Sequence, residues 1–277
     1  MAGSHSGEAA VEWVREQVPG ADVRCLLLDL RSVASVQAFA EQFGRLGLPL
    51  TCLVCNAGIN SDSQDRERQL TEDGFDELFQ ANFLGHFLLV KLLVKHLREG
   101  APSRVFQVSS VAHRSAPAAL DWKACRERRE PFRSLYGASK LAQIHFAREL
   151  HERLAADGVA SHAYNPGGVR SDIWRNSGGL MRLAAAALMQ SPDAAAAGLE
   201  AAILAPELQR GPSLYLNGYR GAGLCRFFEY LGPLAAGQRL VPSSPSPAAQ
   251  DAALGRTLWD LSERWMVEAE LDQAFTE

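Results

Sequence analysis

Between Glu8 and Val18, apolar residues stand at Val11, Val14 and Val18, the spacing of one helical face, and Pro19-Gly20 ends the run. Val23 to Leu28 is short and mostly apolar and predicts a strand with Asp29 at its carboxyl end. Ser32 can cap the next helix, with Ser35 at the third position of a weak capping box. Val33, Val36, Phe39, Ala40 and Phe43 supply that helix's apolar face. Leu50 to Cys55 predicts a second strand, leading into Asn56-Ala57-Gly58. Strand, helix, strand is the unit of a parallel sheet, and uniformly apolar strands are those that helices cover on both faces.

Residues 60–74 are polar and read as a loop, and Phe75 to Leu97 reads as a long helix, bent near Gly85, with Asn82 midway. Val105 to Ser109 predicts the third strand, followed by an irregular stretch over 113–133 that contains Pro117, Asp121-Trp122 and Pro131. Tyr136 to Leu154 predicts a helix and Val159 to Tyr164 the fourth strand, which Asn165-Pro166-Gly167-Gly168 breaks sharply. Ser191-Pro192 is an N-cap followed by proline at the first helical position, opening a helix over Asp193 to Leu204. Ser213 to Asn217 predicts a fifth strand, Ser243 to Pro247 a surface turn, and Ala252 to Ala269 a last amphipathic helix. The pattern predicts an α/β doubly wound parallel sheet of Rossmann-like type, a single domain over residues 1–277. Such sheets bind ligands outside the carboxyl ends of their strands, and Asp29, Asn56, Ser109-Ser110 and Asn165 all fall on that edge.

The balance of 28 basic against 32 acidic residues gives a net charge of -4, so no overall basic field invites nucleic acid. The mixed run Arg126-Glu127-Arg128-Arg129 reads as a solvated connector. Residues 1–20 are polar and acidic, unlike a secretory signal. No uninterrupted run reaches the roughly 18 apolar residues of a spanning helix. Leu180 to Met189 includes Arg182 and reads as a partly buried helix rather than an interfacial patch. The five cysteines are scattered and odd in number, which fits a reducing compartment and argues against a disulfide framework. Cys52 and Cys55 have a C-x-x-C spacing, but residues three apart in a strand face opposite ways, so both read as core. The expected location is cytoplasmic, with peripheral contact to an intracellular membrane left open.

Candidate chemistry centres on Ser109 to Lys140. Tyr136 and Lys140 stand at i and i+4 on the predicted helix, one turn apart on one face. An ammonium there can favour a phenolate, and a serine at the end of the preceding strand can hydrogen-bond a carbonyl or alcohol oxygen. Together they make a general acid–base device for a carbon-bound oxygen. The pair alone also occurs on helices by chance; its placement on the ligand-binding edge gives it weight.

Several ordered motifs name a family. Leu28-Asp29-Leu30, Leu53 to Gly58, Asn82 to Phe87, Val108-Ser109-Ser110, Tyr136 to Lys140, Asn165 to Gly168 and Arg256 to Arg264 together resemble the short-chain dehydrogenases/reductases, in their retinol-dehydrogenase-like branch. The resemblance spans about residues 8 to 268. It implies NADP or NAD as cofactor and hydride transfer to or from an alcohol or carbonyl group of a small lipophilic substrate. It implies no nucleic-acid partner and allows a homodimer. By position, Asp29 resembles the acidic residue that accepts the adenine amino group, and Asn56, Ala57 and Gly58 the turn beside the cofactor ribose. Asn82 resembles the asparagine that holds a water in the proton relay. Ser110 would bond the substrate oxygen, Tyr136 would be the acid or base, and Lys140 would hold the nicotinamide ribose and lower the phenol's pKa. Pro166 and Gly167, with Val169 beyond, resemble the turn flanking the carboxamide. The rival readings are a turn cap for Asp29, a tight turn for Gly167 and Gly168, and ordinary polar positions for His86 and His113, which have no metal spacing. Ser109 reads as structural.

One departure matters. The family's T-G-x-x-x-G-x-G turn, whose helix N-terminus receives the pyrophosphate, does not occur in this sequence. Residues 8–18 resemble the helix after the family's second strand, and Val23 to Leu28 its third strand. In the family's strand order, 3-2-1-4-5-6-7, the first strand here then has no neighbour and Leu50 to Cys55 becomes an exposed edge. Two readings follow: an oxidoreductase whose sequence is shortened or incompletely predicted, or a non-catalytic binding or regulatory relative that cannot hold cofactor.

Overall fold

The computed structural model describes residues 2–60, 70–117, 120–127, 132–169, 189–218 and 241–274. Five strands form one sheet in the order β1-β2-β3-β4-β5: β1 Cys52–Cys55, β2 Ser103–Val108, β3 Val159–Asn165, β4 Tyr215–Asn217 and β5 Val241–Pro242. The first four are parallel; β5 joins antiparallel, within the stretch leading to the expected Ser243–Pro247 turn. Two residues are too few for a period to register, which is why this strand escapes the sequence pattern.

Val23 to Leu28 does not form the expected strand; it runs as irregular chain, largely half-exposed or exposed. Apolar composition cannot make a strand without a neighbour to accept its ladder of hydrogen bonds. Here one of its carbonyls, that of Val23, instead accepts from the Arg15 guanidinium at 3.0 Å. Among the described residues no strand precedes Cys52, so β1 is an edge, and the fold is Rossmann-like without its first β-α-β unit.

The helices are α1 (Ala2–Gln17), α2 (Val33–Arg45), the rod α3 (Glu77–Phe79, a π turn at Gln80–Leu84, then Gly85–Glu99), α4 (Trp122–Arg126), α5 (Phe132–Leu154), α6 (Pro192–Leu204), α7 (Pro247–Gln250) and α8 (Ala252–Ala274). Ser32 caps α2 by accepting from Ser35 N–H at 3.2 Å, and the Ser35 hydroxyl in turn accepts from Asp29 N–H at 2.9 Å. The helix thus begins as its sequence suggests. Ser191 likewise caps α6, with proline at its first position.

Alternate residues of the strands face two cores. Cys55, Val105, Val159 and Ala163 meet α3, α5 and α8, while Phe106, Val108, Tyr164 and Leu216 meet α6. Cys52 belongs with the second set and Cys55 with the first, so their sulfurs diverge across the sheet. The larger core is an aromatic stack in which the Phe87 ring lies 5.1 Å from both Phe146 and Trp259. Burying each such ring contributes about 2–3 kcal/mol. Arg126 lies over Phe75 and Trp265 and pairs with Glu268 at 2.9 Å, so this part of the charged run serves packing. Arg128 and Arg129 lie outside the described residues.

The rod Glu77–Glu99 is long and apolar enough to cross a membrane by length and composition alone. Most of it is buried inside the protein, as a core helix of this composition would be. Of Leu180–Met189, all but Met189 lie outside the described residues.

Candidate active site

The register Cys55↔Gln107, Val108↔Tyr164 and Asn165↔Asn217 brings the strand ends level. Asn56, Ser109-Ser110 and Pro166 therefore leave the sheet on one edge. Ser109 donates its hydroxyl to the Lys140 carbonyl at 2.7 Å and its N–H to the Tyr164 carbonyl at 2.7 Å, tying β2 to both α5 and β3. Its role is to fix the strand end.

Ser110 is extended and caps the 3-10 turn Val111–Ser115, its Oγ accepting from Ala112 N–H at 3.2 Å. Helix α5 crosses this turn at Gly137. A Cβ there would stand 2.5 Å from Ser115 Oγ and 2.7 Å from the Ala112 carbonyl oxygen, so only glycine allows the approach. That approach sets the Tyr136 hydroxyl beside Ser110. Burial pushes the phenol up to about 12, and the Ser110 bond opposes the rise.

Lys140 is buried, and burial lowers its pKa to about 8. Its Nζ donates to the Val108 carbonyl at 3.0 Å and to Gln143 Oε1 at 3.1 Å, and lies 5.8 Å from the centre of the Tyr136 ring. Asn82 sits in the middle of the π turn and is fully buried. Its Oδ1 accepts from Ile59 N–H at 2.7 Å, and its Nδ2 donates to the Ile59 carbonyl at 3.0 Å and to Ser139 Oγ at 3.1 Å. A π turn accommodates one extra residue per turn and often marks a functional position. Here it turns the asparagine onto the strand-to-loop exit. A Cβ on Gly58 would lie 3.1 Å from Asn82 Oδ1 and 3.5 Å from Lys140 Nζ. The structure therefore gathers Asn56-Ala57-Gly58, Asn82, Ser110, Tyr136 and Lys140.

The remaining expected positions are Pro166, Gly167, Val169 and Asp29. Asn165 Oδ1 accepts from Gly167 N–H at 3.1 Å and its Nδ2 donates to Asn217 Oδ1 at 2.9 Å, shaping the turn at Pro166-Gly167. Gly167 is in the left-handed region at φ 82. Val169 bridges Gln190, whose amide nitrogen donates to the Pro166 carbonyl. The Asp29 carboxylate is held by Arg31, with bonds of 2.9, 3.0 and 2.9 Å from the backbone N–H, Nε and the Nη2 amine. That partner lowers its pKa and occupies both oxygens.

Sequence reasoning set aside two histidines that the structure ties to the site. His86 is buried on α3 one turn beyond Asn82, and its Nε2 bonds the Ala57 carbonyl at 2.9 Å. His113 Nδ1 bonds the Ser110 carbonyl at 2.7 Å. Burial lowers the pKa of each to about 4. The available signal was position, since each follows a motif residue by one helical turn. An open groove of about 660 Å³ lies elsewhere, between α1 and Val23–Cys25, and none of the site residues lines it.

A nucleotide cofactor can be tested against these groups. The nicotinamide half fits: a glycine-lined turn, a buried ammonium and a phenol beside a serine converge at the strand ends. At the expected adenine position, Asp29 is engaged by Arg31.

A parallel α/β sheet with serine, tyrosine and lysine at its carboxyl edge defines a class of Rossmann-like oxidoreductase folds. The short chain dehydrogenase family matches residues 2–179, more than half of the chain, and this chain belongs to that family. It is 37% identical over 258 residues to the WW domain-containing oxidoreductase of Danio rerio, covering 90% of this chain and 57% of that protein. It is 32% identical over 257 residues to retinol dehydrogenase 13 of Homo sapiens, covering 93% and 72%. Among solved structures, an uncharacterized protein from Mycobacterium Paratuberculosis superposes with a TM-score of 0.63 at 28% identity, covering 95% of this chain and 81% of that one. The chain spans a little over half the length of the WW domain-containing oxidoreductases it matches.

Proposed function

We propose that this chain is an NAD(P)-dependent oxidoreductase that acts on an alcohol or carbonyl group of a small lipophilic substrate. The observation that carries this reading is the convergence of Ser110, Tyr136 and buried Lys140 at the carboxyl edge of the sheet, with Lys140 Nζ 5.8 Å from the centre of the Tyr136 ring. Bound nicotinamide would supply or accept the hydride. Tyr136, with a pKa raised to about 12, is protonated at neutral pH and is ready to donate to a carbonyl oxygen as that carbon is reduced. Ser110 donates its hydroxyl proton to the same oxygen, which as a carbonyl can only accept, while its own oxygen takes the Ala112 N–H. In the reverse direction the phenol must first lose its proton. Lys140 then has to swing from Val108 and Gln143 towards the phenol and the ribose. Matched relatives named for retinol and polyprenol support a lipophilic alcohol as substrate class.

A second reading, a binding or regulatory relative without turnover, is favoured by one feature: the missing glycine-rich turn. Titration of the purified chain with NADPH and NADH separates the two. Saturable binding with carbonyl-dependent cofactor oxidation, lost in Tyr136→Phe, supports the enzyme. A folded chain that binds neither cofactor supports the second reading.

A further inference from the structure

We propose that His113 is the positioning residue for Ser110, holding it through Nδ1–H while Nε2 fastens the 3-10 turn to the Ser243–Gln250 segment. This rests on the reading of Ser110 and Tyr136 as the proton-handling pair.

The tautomer follows from the partners. Ser246 contributes a backbone N–H at 3.0 Å from Nε2, so that nitrogen must be the acceptor. The partner of Nδ1 is the Ser110 carbonyl, which can only accept, so Nδ1 carries the proton. Both demands are met by one neutral tautomer, and burial of the ring keeps it neutral. The Ser110 carbonyl also accepts from His113 N–H at 3.1 Å, so two donors from one residue pin it.

The far end is equally fixed. Ser246 is buried and caps α7 through Oγ, which accepts from Ala249 N–H at 3.3 Å. Arg114, next to His113, donates to the Ser244 carbonyl at 2.9 Å. The His113 ring stands edge-on to Tyr215 of β4 at 5.2 Å. Ser110 is therefore clamped between β2 on one side and a strap from the C-terminal segment on the other. Its hydroxyl is directed by the backbone that His113 holds.

A pair of conservative variants separates positioning from filling space. His113→Asn keeps a donor at the δ position, where it can reach the Ser110 carbonyl, and loses the acceptor for Ser246. His113→Gln places its acceptor at the ε position for Ser246 and loses the donor to Ser110. One readout is the 13Cζ chemical shift of Tyr136, which reports hydrogen bonding at the phenol. It is assigned among the five tyrosines by Tyr136→Phe, with Ser110→Ala marking the unbonded position. The other is kcat and KM for carbonyl-dependent cofactor oxidation, with thermal melts to confirm folding.

His113→Gln should move the Tyr136 signal to the Ser110→Ala position and lower kcat on the order of 10- to 100-fold at unchanged cofactor KM. His113→Asn should restore the signal and most of the rate. Equal behaviour of the Asn and Gln variants, or a Tyr136 signal that neither moves, overturns the proposal. A shifted signal in a chain without turnover upholds the positioning and defeats the enzymatic reading instead.

Discussion

Gly137→Ala sets two effects of opposite sign against each other. In a helix interior alanine is favoured over glycine by about 0.8–1 kcal/mol, so propensity alone predicts a more stable protein. The added Cβ would however stand 2.5 Å from Ser115 Oγ, 2.7 Å from the Ala112 oxygen and 3.0 Å from Ala116 N. Ser115 can rotate away, at the loss of its 2.7 Å bond to Ala112. The other two atoms are backbone and can yield only if α5 and the 111–115 turn separate. Overpacking of that kind costs about 1–3 kcal/mol. The net expectation is destabilisation by ~0.5–2 kcal/mol, or a fall of ~0.2–1 M in the urea midpoint at unchanged slope. The separation falls between Tyr136 and Ser110, so kcat should fall more than cofactor affinity. A urea midpoint that rises would refute the reasoning, because it would mean that helix propensity acts unopposed and the close approach is not there.

Three further outcomes follow from the same geometry. Asn82→Ala strips partners from both polar groups of Ile59 and from Ser139 and should destabilise by about 2–4 kcal/mol in urea unfolding; a loss below about 0.5 kcal/mol would contradict the π-turn account. Lys140 is charged less readily folded, with a pKa of about 8, than unfolded at 10.5. The unfolded chain therefore binds more protons between these values, and stability should rise with pH across that window. Lys140→Met should remove a rise on the order of 3 kcal/mol at most, read as urea midpoints against pH. His86, His113 and His145, each lowered from 6.5 to about 4 by burial, favour the fold fully above 6.5, and that stability is lost as the pH falls from 6.5 to 4. His145→Gln should flatten this acid limb; an unchanged limb would place that ring in solvent.

Much of the fold was legible because its signals are local. The cap at Ser32, the proline-opened helix after Ser191, the helix through Tyr136 and the divergence of Cys52 from Cys55 each follow from spacing within a few residues. Val23 to Leu28 shows the limit. Its composition suits a strand, but a strand is a relation between two segments, and the segment that would pair with it is not among the described residues. That β1 is an edge among the described residues, by contrast, was readable from the family's strand order. At the site, spacing named Tyr136 and Lys140 and the family resemblance named Ser110, and the structure sets Ser110 beside Tyr136. It did not reveal that Lys140 turns to Val108 and Gln143, or that Arg31 occupies Asp29. The roles of His86 and His113 are bonds to backbone carbonyls, to which the side-chain pattern is blind.

The central claim, that Tyr136 hands a proton to a substrate oxygen while nicotinamide moves hydride, is tested most directly by titrating the folded 277-residue chain with NADPH and NADH beside Tyr136→Phe. The account predicts saturable cofactor binding in both proteins and carbonyl-dependent cofactor oxidation in the unmutated chain alone. Oxidation that persists in Tyr136→Phe, or a folded chain that binds neither cofactor, would contradict it.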